Sequence, residues 1–194
     1  MNKKPWWKGK YVLWFFMMLP GLLLAIGILS GDGSGYSNSM HITGELSGRF
    51  LLLSLIASPL ILLFPKARFP KWLNRNKRYL GLAAFFYALF HAIVYLVKVP
   101  VDTIVKEFFD LGLLSAWLSF MIWIPMAITS TDGWMRQLKS TWKKIHYWGY
   151  LAALLAYLHW ALIHNHWAPA LVHAVPVMLL QGYRWGRYFS NRLA

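Results

Sequence analysis

Six apolar runs, most of them long enough to cross a bilayer, alternate along this chain with short charged or proline- and glycine-marked stretches. The first extends from Tyr11 to Leu29 and ends in SGDGSG, and the second covers about Gly48 to Phe64 and is closed by Pro65. The third runs from about Tyr79 to Val97 before Pro100, and the fourth from about Leu111 to Thr129 with Pro125 as a kink. The fifth runs from about Ile145 to Ile163; the sixth, from about Pro169 to Tyr183, is short and carries His173, Pro176 and Gln181. A hydrocarbon core ~30 Å thick takes a helix of ~20 apolar residues. The chain is therefore expected to be all-α, a polytopic membrane helical bundle of about six transmembrane helices, with residues 1–194 forming one integral-membrane domain. Composition agrees: 58% of the residues are hydrophobic and 13% charged, against roughly 25% charged in soluble domains.

A formal net charge of +14 would suggest nucleic acid in a soluble protein, but the placement of the charges argues against that partner here. Lys3, Lys4, Lys8 and Lys10 precede the first run, and Lys66, Arg68, Lys71, Arg75, Lys77 and Arg78 lie between the second and third. Arg136, Lys139, Lys143 and Lys144 separate the fourth from the fifth, and Arg184, Arg187 and Arg192 follow the sixth. Of the 20 basic residues, only Arg49, Lys98 and Lys106 fall on the other side, together with Asp32, Glu45, Asp102, Glu107 and Asp110. The positive-inside rule then puts both termini in the cytoplasm, with anionic membrane lipid against the basic face. The opening MNKKPWWKGK mimics a signal peptide, but the apolar stretch after it is long for one and is expected to stay as the first helix.

Three histidines interrupt the runs: His91 in GLAAFFYALFHAIVYLV, and His146 and His159 in KKIHYWGYLAALLAYLHW. An imidazole in hydrocarbon needs compensation, so each is a candidate functional group. Counted from the cytoplasmic ends of two parallel spans, His91 lies ~18 Å deep and His159 ~21 Å deep at 1.5 Å per residue. Histidine is a common axial ligand of haem iron, and two at one level can clamp an iron between them. The plainer reading, in which each ring bonds a neighbouring backbone group or serine, stays open. His146 lies ~20 Å below His159, a spacing suited to a second haem, yet ~140° around a straight helix from it. The third span offers Lys77 and Arg78 at that level rather than a histidine. His146 is thus expected either to ligate an inner haem with some other partner or to touch headgroups or a flavin phosphate at the interface. Cysteine is absent, which rules out iron–sulfur clusters, thiolate ligation and CxxCH attachment. Any haem is expected to be the non-covalent b type.

The stretches KRYLGLAAFFYALFHAIVY and TSTDGWMRQLKSTWKKIHYWGYLAALLAYLH, with HITGELSGR before the second run, resemble the MsrQ (formerly YedZ) family of haem-binding membrane subunits within the wider ferric-reductase-like transmembrane family. The resemblance implies haem b, with His91, His146 and His159 matching the family's haem histidines. The wider oxidase pattern has a second histidine on the third span, and this chain lacks it, so one or two haems are implied. The resemblance also implies a bacterial inner-membrane location and a periplasmic molybdopterin enzyme of MsrP type as acceptor, which reduces methionine sulfoxide in envelope proteins. It implies the quinone pool as donor, with a flavin (FMN) reported for the family. No GxGxxG follows a strand, so no nucleotide-binding fold is expected, and donor and acceptor are expected to be separate molecules.

The alternative class is a small polytopic transporter or a proton or metal channel working through its intramembrane histidines. Every acid lies in or beside a loop, which disfavours it. His41 and Arg49 flank the second run, where they are candidates to neutralise haem propionates or touch a partner. His164 and His166 stand at i, i+2, a poor spacing for zinc. Trp6, Trp7, Trp72, Trp142, Trp160 and Trp167 fall near run ends and read as interfacial anchors. No HExxH, P-loop or Ser-His-Asp set appears, so no substrate chemistry is expected from this chain alone.

Overall fold

A computed structural model describes residues 6–30, 33–163 and 167–193. These residues form helices and short connections, with no strand among them. The order is α1 (Trp6–Leu29), α2 (Gly33–Leu63), α3 (Arg68–Lys98), α4 (Val101–Glu107), α5 (Leu111–Ile128), α6 (Asp132–Leu138), α7 (Ser140–Tyr147), α8 (Gly149–Ile163) and α9 (Trp167–Leu193). Among the described residues, four segments, Gly9–Leu29, Asn38–Leu63, Arg68–Lys98 and Leu111–Ile128, are long and apolar enough to cross a membrane. The chain is thus a helical membrane bundle.

Helix boundaries depart from the sequence expectation in three places. Both α2 and α3 begin well before their apolar runs, at Gly33 and Arg68. A polar residue ends an apolar run but not a helix, so HITGELSGR and most of the basic stretch ahead of Tyr79 are helical. The expected fifth span is broken: α7 ends at Tyr147 and α8 restarts at Gly149. There the Trp148 N–H turns back to the Ile145 carbonyl, and Gly149 admits the Met126 side chain, which a Cβ would meet at 2.8 Å. The helix of the expected sixth run, α9, carries His173, Gln181 and three arginines along its 27 residues.

Packing pairs α2 with α3 and α5 with α8, while α9 lies against α2 and α8 and α1 sits on the α2–α3 edge. Small residues line these contacts: Ala57, Ala83, Ala84, Ala152 and Ala153 are all buried. Without a hydrophobic drive between helices in lipid, close backbone approach is what makes such contacts favourable. Large apolar side chains point the other way, with Phe15, Phe16, Leu22 and Leu23 of α1 more than half exposed, as a lipid-facing surface requires.

One insertion shapes α1. Pro20 lies inside it, and the Tyr87 hydroxyl accepts from the Gly21 N–H at 2.9 Å while donating to the Met17 carbonyl at 2.8 Å. Those two backbone groups would otherwise bond each other, so a side chain from α3 has entered the ladder of α1. This is a recognised cause of helix bending, and it pins α1 to the bundle.

Gly48 is the tightest of these approaches. A Cβ there would stand 2.7 Å from the Trp160 ring, which is backed by His173 at 4.7 Å between centroids. Gly48→Ala is expected to destabilise the detergent-solubilised protein by about 1–3 kcal/mol, the usual range for overpacking. Gly182→Ala on α9, where a Cβ meets nothing within 4 Å, is expected to be neutral or stabilising by up to ~1 kcal/mol through helix propensity. Thermal unfolding of the two variants checks the opposite signs.

Candidate functional site

Helices α2, α3, α5 and α8 enclose a cavity of about 320 Å³ whose wall includes both His91 and His159. That falls within the ~300–1,000 Å³ of small-molecule and cofactor sites. His91 Nδ1 donates to the Met40 carbonyl of α2 at 2.8 Å, and His159 Nδ1 donates to the Gly112 carbonyl at the start of α5 at 2.9 Å. A carbonyl offers only lone pairs, so each Nδ1 carries the ring proton and each Nε2 keeps its lone pair, the form that binds a metal. The plainer reading of these histidines is therefore met at one nitrogen of each ring.

The two ring centroids stand 6.3 Å apart, with planes at 78°. An imidazole centroid lies roughly 1.1 Å from its nitrogens, and metal–imidazole bonds are about 2.0–2.1 Å, so two imidazoles trans on one metal stand about 6.3 Å apart. The residues fit a haem: two imidazoles would hold its iron, and Leu51, Ala88, Leu113 and Phe120 supply apolar wall beside them. Helix α2 comes this close because Gly44 and Gly48 face the cavity: a Cβ on Gly44 would lie 3.2 Å from His91 Nδ1.

A second cavity, of about 440 Å³, lies toward the other end of the bundle, with Leu51 and Trp123 in the walls of both. Lys77, Arg78, Lys143 and Arg184 line it, and His146 is the histidine in its wall among the described residues. His146 Nδ1 donates to the Trp142 carbonyl at 2.9 Å, and its ring stacks on Trp142 at 3.8 Å. Ser130, whose hydroxyl donates to the Met126 carbonyl at 2.6 Å, stands 3.4 Å from His146 Nε2. The angle expected between His146 and His159 assumed a straight helix, which the break at Trp148 removes. Trp142 also donates to the Thr129 carbonyl at 2.9 Å. The TST turn and the WKKIH segment are thus one folded unit.

Facing the same cavity, Lys77 donates to Ser58 at 2.7 Å and Arg184 to the Tyr150 hydroxyl at 2.9 Å. Arg78 pairs with Asp132 on α6, and the hydrogen bond from its guanidinium holds the Asp132 carboxyl below the usual carboxylate range. This is a basic chamber with one imidazole among the described residues, unlike the more apolar chamber that has His91 and His159 in its wall.

His41 lines the outer cavity and stands 3.7 Å from Glu45, which also pairs with Arg49. His173 donates to the Pro169 carbonyl and leans on Trp160. His164 and His166 lie outside the described residues. Two tryptophans read as interfacial anchors do other work: Trp142 holds His146, and Trp160 packs between Gly48 and His173. Sequence reasoning passed over Gly44 and Gly48, although glycines four apart in an apolar helix signal close approach. It also passed over Tyr95 and Trp117 in the outer cavity wall.

Residues 43–157 match the family described as the ferric reductase like transmembrane component, a span containing His91 and His146 and ending just before His159. The chain is 36% identical over 162 residues to the protein-methionine-sulfoxide reductase heme-binding subunit MsrQ of Xanthomonas oryzae pv. oryzae (strain MAFF 311018), covering 78% of this chain and 71% of that protein. It is 31% identical over 187 residues to the MsrQ of Pectobacterium carotovorum subsp. carotovorum (strain PC1), covering 89% of this chain and 88% of the relative. No solved structure matches. With its helical bundle and its two chambers built around His91, His159 and His146, the chain belongs to the ferric-reductase-like transmembrane family and, within it, to the MsrQ group.

Proposed function

We propose that this protein is a transmembrane haem b electron-transfer subunit. In this reading it takes electrons from a quinol or reduced flavin at the cytoplasmic face of a bacterial inner membrane. It delivers them to a periplasmic, molybdopterin-dependent methionine sulfoxide reductase of MsrP type, for repair of oxidised periplasmic proteins. The relatives support the reading, since they are named as haem-binding subunits of a methionine sulfoxide reductase. The observation that carries it is the pair of imidazoles 6.3 Å apart, each tied through Nδ1 to a carbonyl of another helix.

His91 and His159 would hold the haem iron through Nε2, while the Met40 and Gly112 carbonyls hold the rings and raise their basicity. When bound, haem supplies a one-electron change between ferric and ferrous iron. The apolar wall keeps water out and, with the bis-histidine set, tunes the potential. In the inner chamber Lys77, Arg78 and Arg184 receive the anionic end of the donor group, either flavin (FMN) phosphate or the propionates of a second haem, with His146 as the single imidazole beside it. With the six crossings and cytoplasmic termini that the charge distribution implies, the His91–His159 level would lie in the outer half of the bilayer, close enough for a docked protein to accept an electron. The chain itself reduces no methionine sulfoxide.

His91→Ala and His159→Ala are each expected to abolish the outer haem, a loss well beyond the roughly 10–100-fold that removing an outer-shell partner costs. His146→Ala is expected to leave that haem in place. Haem content and the reduced-minus-oxidised spectrum of the purified variants decide; haem retained at the wild-type level in either of the first two removes the pairing. For the partner, stopped-flow reoxidation of the pre-reduced haem without oxygen is expected to accelerate when oxidised periplasmic reductase and methionine sulfoxide are added. No acceleration would leave the haem subunit standing and remove the assigned acceptor.

A further inference from the structure

Buried polar side chains in this bundle are almost all paired, which makes the exceptions informative. Tyr95 Oη and Trp117 Nε1 are buried side-chain atoms with no hydrogen-bond partner among the described residues. Both residues line the chamber that holds His91 and His159. Their rings meet edge to face at 6.4 Å and 68°, and Phe108, from the connection after α4, stacks on Trp117 at 6.2 Å and 24°. Tyr95 follows His91 by four residues on α3, which places it on the same face about 6 Å further along. Trp117 lies on α5, the helix whose Gly112 carbonyl holds His159.

A donor stranded in a lipid-embedded interior is costly, because no solvent takes the place of the missing partner. Indole N–H can only donate, and a phenol flanked by aromatic rings has its O–H to give. The chamber wall thus carries two neighbouring side chains whose donors have no acceptor among the described residues. The face of a porphyrin offers none; the hydrogen-bond acceptors at its edge are its two propionate carboxylates. One other candidate stands nearby: Glu107 lines the same chamber. Glu45, also in the wall, is engaged by Arg49 and His41.

We propose that Tyr95 and Trp117 are the donors that hold a propionate carboxylate of the haem seated between His91 and His159. This rests on the haem reading above and assigns the orientation of the group: its carboxylate edge turns toward the α3–α5 wall, under Phe108. Charge-assisted bonds from two aromatic donors anchor the macrocycle against rotation about the axis through the two histidines.

Tyr95→Phe removes one oxygen and Trp117→Phe keeps a ring against Phe108, so both variants preserve the packing. The wild type and each variant are loaded with haem b or with its dimethyl ester, and transfer to excess apomyoglobin is timed. Each substitution is expected to speed loss of haem b roughly tenfold, the scale of one hydrogen bond to a charged group, while the low-spin spectrum stays unchanged. The wild type is expected to release the ester faster than the acid, and the double variant is expected to release the two at the same rate. Unchanged transfer rates in both variants, with low-spin haem bound, would overturn the assignment and leave the haem reading intact. An equal acceleration by Glu107→Gln would overturn it too, by showing that the donors serve that carboxylate. A wild type that takes up no haem would instead overturn the parent reading.

Discussion

Inside hydrocarbon there is no solvent to accept a stray proton or offer a stray lone pair, and the whole bundle is arranged around that scarcity. In the apolar part of the bundle, several side chains that reach across helices do so to reach backbone carbonyls. Ser47 bonds Ala84, Ser119 bonds Ala152, Ser54 bonds Lys77, and Gln181 of α9 bonds Leu55 of α2. Each carbonyl already serves its own helix and uses a second lone pair for the neighbour, so helices lock together without loosening. Bonds of this kind contribute on the order of 1 kcal/mol each, but each also fixes a rotation and a register. Tyr87 carries the device furthest, entering the ladder of α1 itself.

His91 and His159 obey the same rule with a different consequence. Serine spends its only proton on the carbonyl; imidazole spends one nitrogen and keeps another. Binding Nδ1 to the Met40 and Gly112 carbonyls ties each ring to another helix and fixes the tautomer in which Nε2 carries the lone pair. Helix geometry then brings the two rings to a metal-sized separation. Leu51 and Trp123, shared by the walls of both chambers, stand between the more apolar chamber of His91 and His159 and the basic chamber of His146.

Much of this was legible in the sequence. The apolar runs indicated a helical membrane bundle, and counting residues from the charged ends put His91 and His159 at one level before any coordinates. Helix ends were less legible, because hydropathy reports where lipid stops rather than where the backbone uncoils; α2 and α3 begin well before their apolar runs. The break at Trp148 depends on Gly149 meeting Met126, a contact made across helices and invisible along the chain. Tyr95 and Trp117 were hidden for a similar reason: their interest lies in a missing partner, which only the three-dimensional arrangement reveals. The TST–WKKIH segment was recognisable as a motif, while its reason, Trp142 bridging Thr129 and His146, required the fold.

The claim on which the rest stands is that His91 and His159 bind one iron from opposite sides with their planes near perpendicular, as the 78° between the rings indicates. Low-temperature electron paramagnetic resonance of the ferric protein tests it directly. Two axial imidazoles make the iron low-spin, and crossed ring planes give the strongly anisotropic low-spin signal instead of the well-resolved rhombic signal of parallel planes. The expected spectrum is that strongly anisotropic signal, lost in both His91→Ala and His159→Ala. A high-spin ferric signal in the wild type would mean that one of the two histidines does not reach the iron, and would contradict the account.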